Sequence, residues 1–257
     1  MSITMRQFLS NPVGHGTANV ARRDRIKLDL NNRFDQLYKK NKSKFATFNY
    51  VDEKTGIFTI WFRIPSEELP NLLYDVVISF SPKKLQPVSP LEKIDIGRLR
   101  LYDIKVFSNS PNFTYTYAYV FNKRNLLIDW LKPKISIKAL TEEPVIRNKD
   151  QTLGFEKSIY FSLLLMEKHP KVIERGRTRL FRKNDILRTI PTSNQKTMEN
   201  KKIKKEIAFL NKKNKKVKEK RKPIISTSNN TKNNKKTSTS NSGKRIKRKF
   251  STSNRKK

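Results

Sequence analysis

The chain has 257 residues, 58 Lys+Arg against 22 Asp+Glu, a formal net charge of +36, and only 35% hydrophobic residues. It contains no Cys, which excludes disulfides, thiolate metal centres and thiol nucleophiles. Residues 1–9 lack a basic flank ahead of an apolar stretch, position 2 is not Gly, and no apolar run approaches the length of a bilayer span. The expectation is therefore a cytoplasmic chain, or one in a particle assembled there, with no membrane attachment.

Residues 1–16 read as an N-terminal arm, because Pro12, Gly14 and Gly16 fall within five positions. A folded part is expected over 17–180, and it opens with a helix. Thr17 or Asn19 can cap that helix, and Ile26, Leu30, Phe34, Leu37 and Tyr38 recur at three- and four-residue spacing until lysines over 39–44 end it. Arg22, Arg23, Arg25 and Lys27 crowd its first turns, where the helix dipole favours acids. Both an anion-binding edge and a solvated polar face fit that placement.

Segments 45–51 and 57–64 flank the polar, glycine-ending connection 52–56 and read as a hairpin. Pro65 interrupts it, and 74–80, rich in β-branched and aromatic residues, reads as a third strand stopped by Pro82. Segment 81–96, with Pro82, Pro87 and Pro90, reads as an exposed loop. Segments 99–107 and 113–121 read as a second hairpin around the turn-rich 108–112. A helical turn over 126–131 and an amphipathic helix over 154–168, with Phe155, Ile159, Leu163 and Met166 on one side and Pro170 closing it, complete the order. The resulting fold class is α+β: an antiparallel sheet of about five strands, with flanking N- and C-terminal helices covering one face.

If 113–121 is a strand, Phe113, Tyr115, Tyr117, Tyr119 and Phe121 share one face, while Thr114, Thr116, Ala118 and Val120 share the other. Such an aromatic stripe either stacks on bases or packs as core or as a partner interface. The run Tyr117-Ala118-Tyr119-Val120 is partly similar to the aromatic strand of RNA-recognition domains, although the basic-glycine pair before it is missing and Asn122 stands where a further aromatic is expected.

Charge is divided unevenly along the chain. Residues 1–180 hold 31 Lys+Arg against 18 Asp+Glu, whereas 181–257 hold 27 against only Asp185, Glu199, Glu206 and Glu219. Residues 181–257 therefore read as a basic low-complexity tail, too poor in apolar side chains to repay the entropy of ordering, with a helix expected over 196–221 where Ile203, Ile207, Leu210 and Val217 fall near helical spacing. Its clusters are Lys201, Lys202, Lys204 and Lys205; Lys212, Lys213, Lys215 and Lys216; Lys218, Lys220, Arg221 and Lys222; and Lys244, Arg245, Lys247, Arg248 and Lys249. Clustered cations of this density match backbone phosphate, releasing counterions without reading sequence, so the expected partner is DNA or RNA. A solubilising or import segment is the plainer alternative.

Catalytic signals are sparse. The two histidines, His15 and His169, stand apart, no carboxylates pair at acid–base or metal spacing, and the seven glycines form no phosphate-cradling loop, so no enzyme, cofactor or metal is expected. The run Phe107-Ser108-Asn109-Ser110-Pro111, with 113–122 after it, resembles segments of uncharacterised proteins from tailed phages of low-GC bacteria. The Lys-, Asn- and Ile-rich usage fits an AT-rich genome. The resemblance covers under a tenth of the chain and carries no functional residues across. It implies a virion or genome-packaging component, whose folded domain docks to a protein partner or assembly while the tail neutralises phosphate. A ribosomal-type or scaffold protein, ordering its tail inside a large complex, is the other reading.

Overall fold

The first hairpin forms where the sequence alternates on either side of a tight polar turn. Strands β1 (Ala46–Asp52) and β2 (Ile57–Pro65) pair antiparallel with Asp52 opposite Ile57. The Asp52 carboxylate accepts the backbone N–H of Lys54 at 3.0 Å, and Gly56 closes the turn at φ 69°, a left-handed conformation that glycine adopts without a Cβ clash. Strands β3 (Leu73–Ser81) and β4 (Asp103–Ser108) extend the ladder to a four-stranded antiparallel sheet in the order β1-β2-β3-β4.

This computed structural model describes residues 2–10, 20–69, 71–85, 95–144, 148, 151, 153, 156–176 and 182–220, with the side chains of 20–23, 96, 174–176 and 214–220 outside that description. The helices are α1 (Met5–Ser10), α2 (Val20–Asn41), α3 (Ile96–Leu99), α4 (Ala118–Lys123), α5 (Ile137–Thr141), α6 (Lys157–Lys168), α7 (Pro170–Gly176), α8 (Lys183–Thr189) and α9 (Ser193–Lys220).

Register makes one face of the sheet apolar. Phe58, Ile60 and Phe62 stand opposite Phe80, Ile78 and Val76, and Phe80 and Ile78 in turn stand opposite Ile104 and Val106; all are buried. Helix α6 packs on this sheet, and Ser158 at its start meets Ser108 at the end of β4 through a 2.9 Å hydroxyl contact. The predicted apolar face of α2 is the one observed: Leu30, Phe34 and Leu37 are buried, and Phe34 meets Phe161 of α6 edge-on at 5.6 Å. The Thr17 and Asn19 caps expected for α2 lie outside the described residues, as do the loop positions Pro87 and Pro90, and Phe155 of the helix predicted over 154–168. That helix is observed as α6, and Pro170, expected only to stop it, also starts α7.

Across the opposite face, Trp61 Nε1 donates to Asp75 Oδ1 at 3.0 Å and Asn109 Nδ2 donates to Asp75 Oδ2 at 2.8 Å, while the Asp75 N–H returns to Asn109 Oδ1 at 2.9 Å. The Arg63 guanidinium lies 5.0 Å above the Trp61 ring and within 3.6 Å of Asp75. A buried carboxylate is thus fully satisfied, and it ties β3 to the turn after β4.

Three expectations are corrected. The sheet has four strands, because 113–121 is helical: a π-helical turn, Phe113–Tyr117, runs directly into α4. Ser110 accepts the Phe113 N–H on its side chain at 3.1 Å and the Thr114 N–H on its carbonyl at 3.0 Å, and Pro111 follows it. Ser then Pro is a helix-start signature, and it outweighs the β propensity of the aromatics. The second hairpin consequently does not exist; β4 instead takes the N–H of Val106 to Leu126 O at 2.8 Å and the N–H of Ile104 to Ile3 O at 2.8 Å.

The second correction concerns the N-terminal arm. Thr4 and Gln7 form a reciprocal capping box, with Thr4 N–H to Gln7 Oε1 at 2.9 Å and Gln7 N–H to Thr4 Oγ1 at 3.2 Å. Helix α1 follows, and it buries Met5 and Phe8 completely in the main core. The third concerns where packing stops. Ile186 and Ile190 are each 1% exposed, and the compact unit runs Met1–Lys213, so the drop in apolar content at 180 is not the edge of the folded part.

Candidate nucleic-acid interface

The start of α9 is set by a second capping box. Thr192 N–H donates to Gln195 Oε1 at 2.8 Å and Gln195 N–H donates to Thr192 Oγ1 at 3.2 Å. Ser193, Lys196 and Asn200, at helical spacing, are buried against the body; Lys196 Nζ donates to Glu199 at 2.8 Å, and Asn200 Nδ2 donates to the Tyr74 hydroxyl at 3.4 Å. Burial then fades along the helix: Ile203 and Ile207 are half-buried, and Leu210 is exposed. The first turns of α9 anchor it, and later turns face solvent.

On that outer part, Lys201, Lys202, Lys204, Lys205, Lys212 and Lys213 are all exposed. Lys204 comes within 4.0 Å of Glu68; for the other five, no ion pair is found among the described residues. At roughly 100° and 1.5 Å per residue, Lys201, Lys205 and Lys212 fall in one row and Lys202 and Lys213 in a second, over a length of about 18 Å. Phe209, 68% exposed, sits between the two rows. The backbone of α9 also carries Lys215, Lys216, Lys218 and Lys220. The remaining cations of the predicted clusters, Arg221, Lys222, Lys244, Arg245, Lys247, Arg248 and Lys249, lie outside the described residues.

The aromatic stripe is dispersed by the helix. Phe113 and Phe121 are core residues, 5.5 Å apart edge-on, and Phe121 also meets Phe8 at 6.4 Å. Tyr117 is half-buried, and burial together with the nearby Glu156 charge pushes its pKa up to about 12. Tyr119 donates to Glu143 at 3.1 Å beneath Lys123, and Tyr115 alone of the five is largely exposed. These rings share no common stacking face.

At the basic start of α2, Arg25 is exposed, Lys27 donates to the Ser10 carbonyl at 3.3 Å, and the side chains of Arg22 and Arg23 lie outside the described residues. A cleft of about 1250 Å³ opens beside α2, α6 and the root of α9, lined among others by Arg33, Glu67, Tyr74, Glu156 and Lys157. Its cations are already engaged. Arg33 donates to both oxygens of Glu67 at 3.0 and 2.9 Å, and Lys157 approaches the same carboxylate. Burial raises the Glu67 pKa, but the hydrogen bonds from Arg33 and Lys157 outweigh it and the net shift is downward. Glu156 is satisfied by Ser110, Ser158 and the Ile159 N–H at 2.6–2.8 Å, so it caps α6. His169 stacks on Tyr38 at 3.7 Å, and burial lowers its pKa; His15 lies outside the described residues.

Among the described residues no cluster of His, Asp or Glu is arranged to hold a metal ion, and no helix is long and apolar enough to cross a membrane. No protein-family model matches the chain, and no curated protein or solved structure is similar to it.

Proposed function

We propose that the chain is a nonenzymatic nucleic-acid-binding protein that grips the phosphate backbone with the exposed lysines of α9 and the cations that follow. The observation that carries this reading is the solvent-facing half of α9, where Lys201, Lys202, Lys205, Lys212 and Lys213 have no carboxylate within ion-pair distance among the described residues. Residues 221–257 add 13 Lys+Arg and no Asp or Glu. The two rows together span about 18 Å of α9, and a duplex strand with a phosphate every ~3.4 Å of axis presents about five phosphates over that length. Lysines act on phosphate as point charges without the planar fork that reads base edges, so binding is sequence-independent. The resemblance of segment 107–122 to tailed-phage proteins makes a virion or genome-packaging component, with phage nucleic acid as the polyanion, the role we favour.

The experiment replaces Lys201, Lys202, Lys205, Lys212 and Lys213 by Gln in the full chain and measures affinity for duplex DNA by fluorescence anisotropy across a salt series. Each phosphate that is no longer neutralised lowers the slope of log affinity against log salt by ~0.9, so the expected decrease is about 4.5. An unchanged slope rejects α9 as the binding surface.

A further inference from the structure

Phe209 is the feature that phosphate neutralisation leaves unexplained. A phenyl ring 68% exposed on a helix forgoes apolar burial without a packing reason, and Ala208 beside it shows that a small residue suits this part of α9. Its neighbours are specific. Lys205 and Glu206 lie one turn before it, Lys202 two turns before it, and Lys212 and Lys213 one turn after it, so four cations and one carboxylate surround the ring. An apolar protein groove closing over this ring would have to strip water from four ammonium groups and the Glu206 carboxylate, which is costly without polar partners to receive them. A ligand that offers anions on its edge and flat apolar faces between them meets both demands at once. Unpaired nucleotides have that form, whereas a duplex hides its base faces in the stack.

We propose that Phe209 is a base-stacking residue, flanked by Lys202, Lys205, Lys212 and Lys213 as phosphate-binding cations, that makes α9 prefer single-stranded over duplex nucleic acid. This rests on the nucleic-acid reading above and goes beyond it by naming the strand class. The ring lies face-on to a base while the lysine rows hold phosphates to either side, so its contribution depends on bases being present and not on charge.

The test uses the full chain, with Phe209→Ala and Phe209→Tyr variants, against three probes of equal length: oligothymidylate, an abasic oligonucleotide with the same phosphates, and a duplex. Stacking of one base predicts that wild type binds oligothymidylate about 5- to 150-fold more tightly than the abasic strand. Phe209→Ala should erase that ratio while keeping the salt slope, and Phe209→Tyr should restore it. Equal binding of wild type to oligothymidylate and the abasic strand overturns the stacking proposal and leaves phosphate binding standing. Failure to bind either strand overturns both. A loss in Phe209→Ala that is equal on all three probes overturns the proposal in favour of a purely structural role for the ring in α9.

Discussion

Replacing Phe8 by Ala separates a packed N-terminus from a free arm. Phe8 has no exposed surface, its ring lies 6.4 Å from that of Phe121, and Phe121 in turn meets Phe113 at 5.5 Å. Removing the ring therefore leaves a cavity among aromatics held on a helical turn that has little room to collapse. Buried Phe→Ala changes cost about 3–5 kcal/mol, and in a domain of this size each kcal/mol shifts the melting midpoint by roughly 2–4 °C. The full chain should melt about 6–20 °C lower, followed by far-ultraviolet circular dichroism. Phe209→Ala serves as the control, because an exposed site should move stability by no more than about 0.5 kcal/mol. If Phe8→Ala costs under about 1 kcal/mol, or if the two variants melt together, residues 5–10 are not part of the core and the capping-box argument for α1 fails.

Glu67→Gln should lower stability at neutral pH by about 2 kcal/mol, because Arg33 and Lys157 are left without their carboxylate. The sign of its pH dependence follows from the lowered pKa: the ionised form stabilises the fold above the ordinary glutamate value of 4.5, and that contribution disappears as pH falls through the depressed value. Wild type should therefore lose more stability than the variant on acidification through that window, and parallel acid limbs in denaturant titrations would contradict the pairing. Asp75→Ala leaves the Trp61 N–H and the Asn109 amide buried without their acceptor, so it should cost about 3 kcal/mol in the same assay. A neutral result would show that the triad does not tie β3 to the turn after β4.

The parts of the fold that can be read from sequence are those where local pattern and final packing agree. The hairpin of β1 and β2, the third strand, the core face of α2 and the helix α6 all follow from alternation or helical spacing of apolar residues. Segment 113–121 departs from its strand pattern because alternation of aromatic and small residues is also satisfied by a helix buried nearly all round, where Phe113, Thr114, Thr116, Ala118, Val120 and Phe121 leave solvent together. The deciding residues are Ser110 and Pro111, which precede the run and mark a helix start. The same kind of signal stands in Thr4 with Gln7 and in Thr192 with Gln195, each at the three-residue spacing of a capping box.

The candidate interface is legible in the sequence as charge and illegible as shape. Counting lysines locates the basic clusters, but composition alone does not show that the first turns of α9 bury Ser193, Lys196 and Asn200, and so hold the later turns outward. Phe209 is silent in the sequence, because one aromatic in a lysine-rich stretch carries no periodic signal; its meaning comes from the helical register that sets it between the two lysine rows.

Salt dependence of binding by the intact chain addresses the phosphate-neutralisation claim most directly. Log affinity should fall linearly against log salt with a slope of magnitude at least ~4.5 on labelled duplex DNA and at least ~3.5 on single-stranded RNA, the share expected from five α9 lysines alone. Absence of binding to either polynucleotide at low salt, or a slope near zero, would contradict the account.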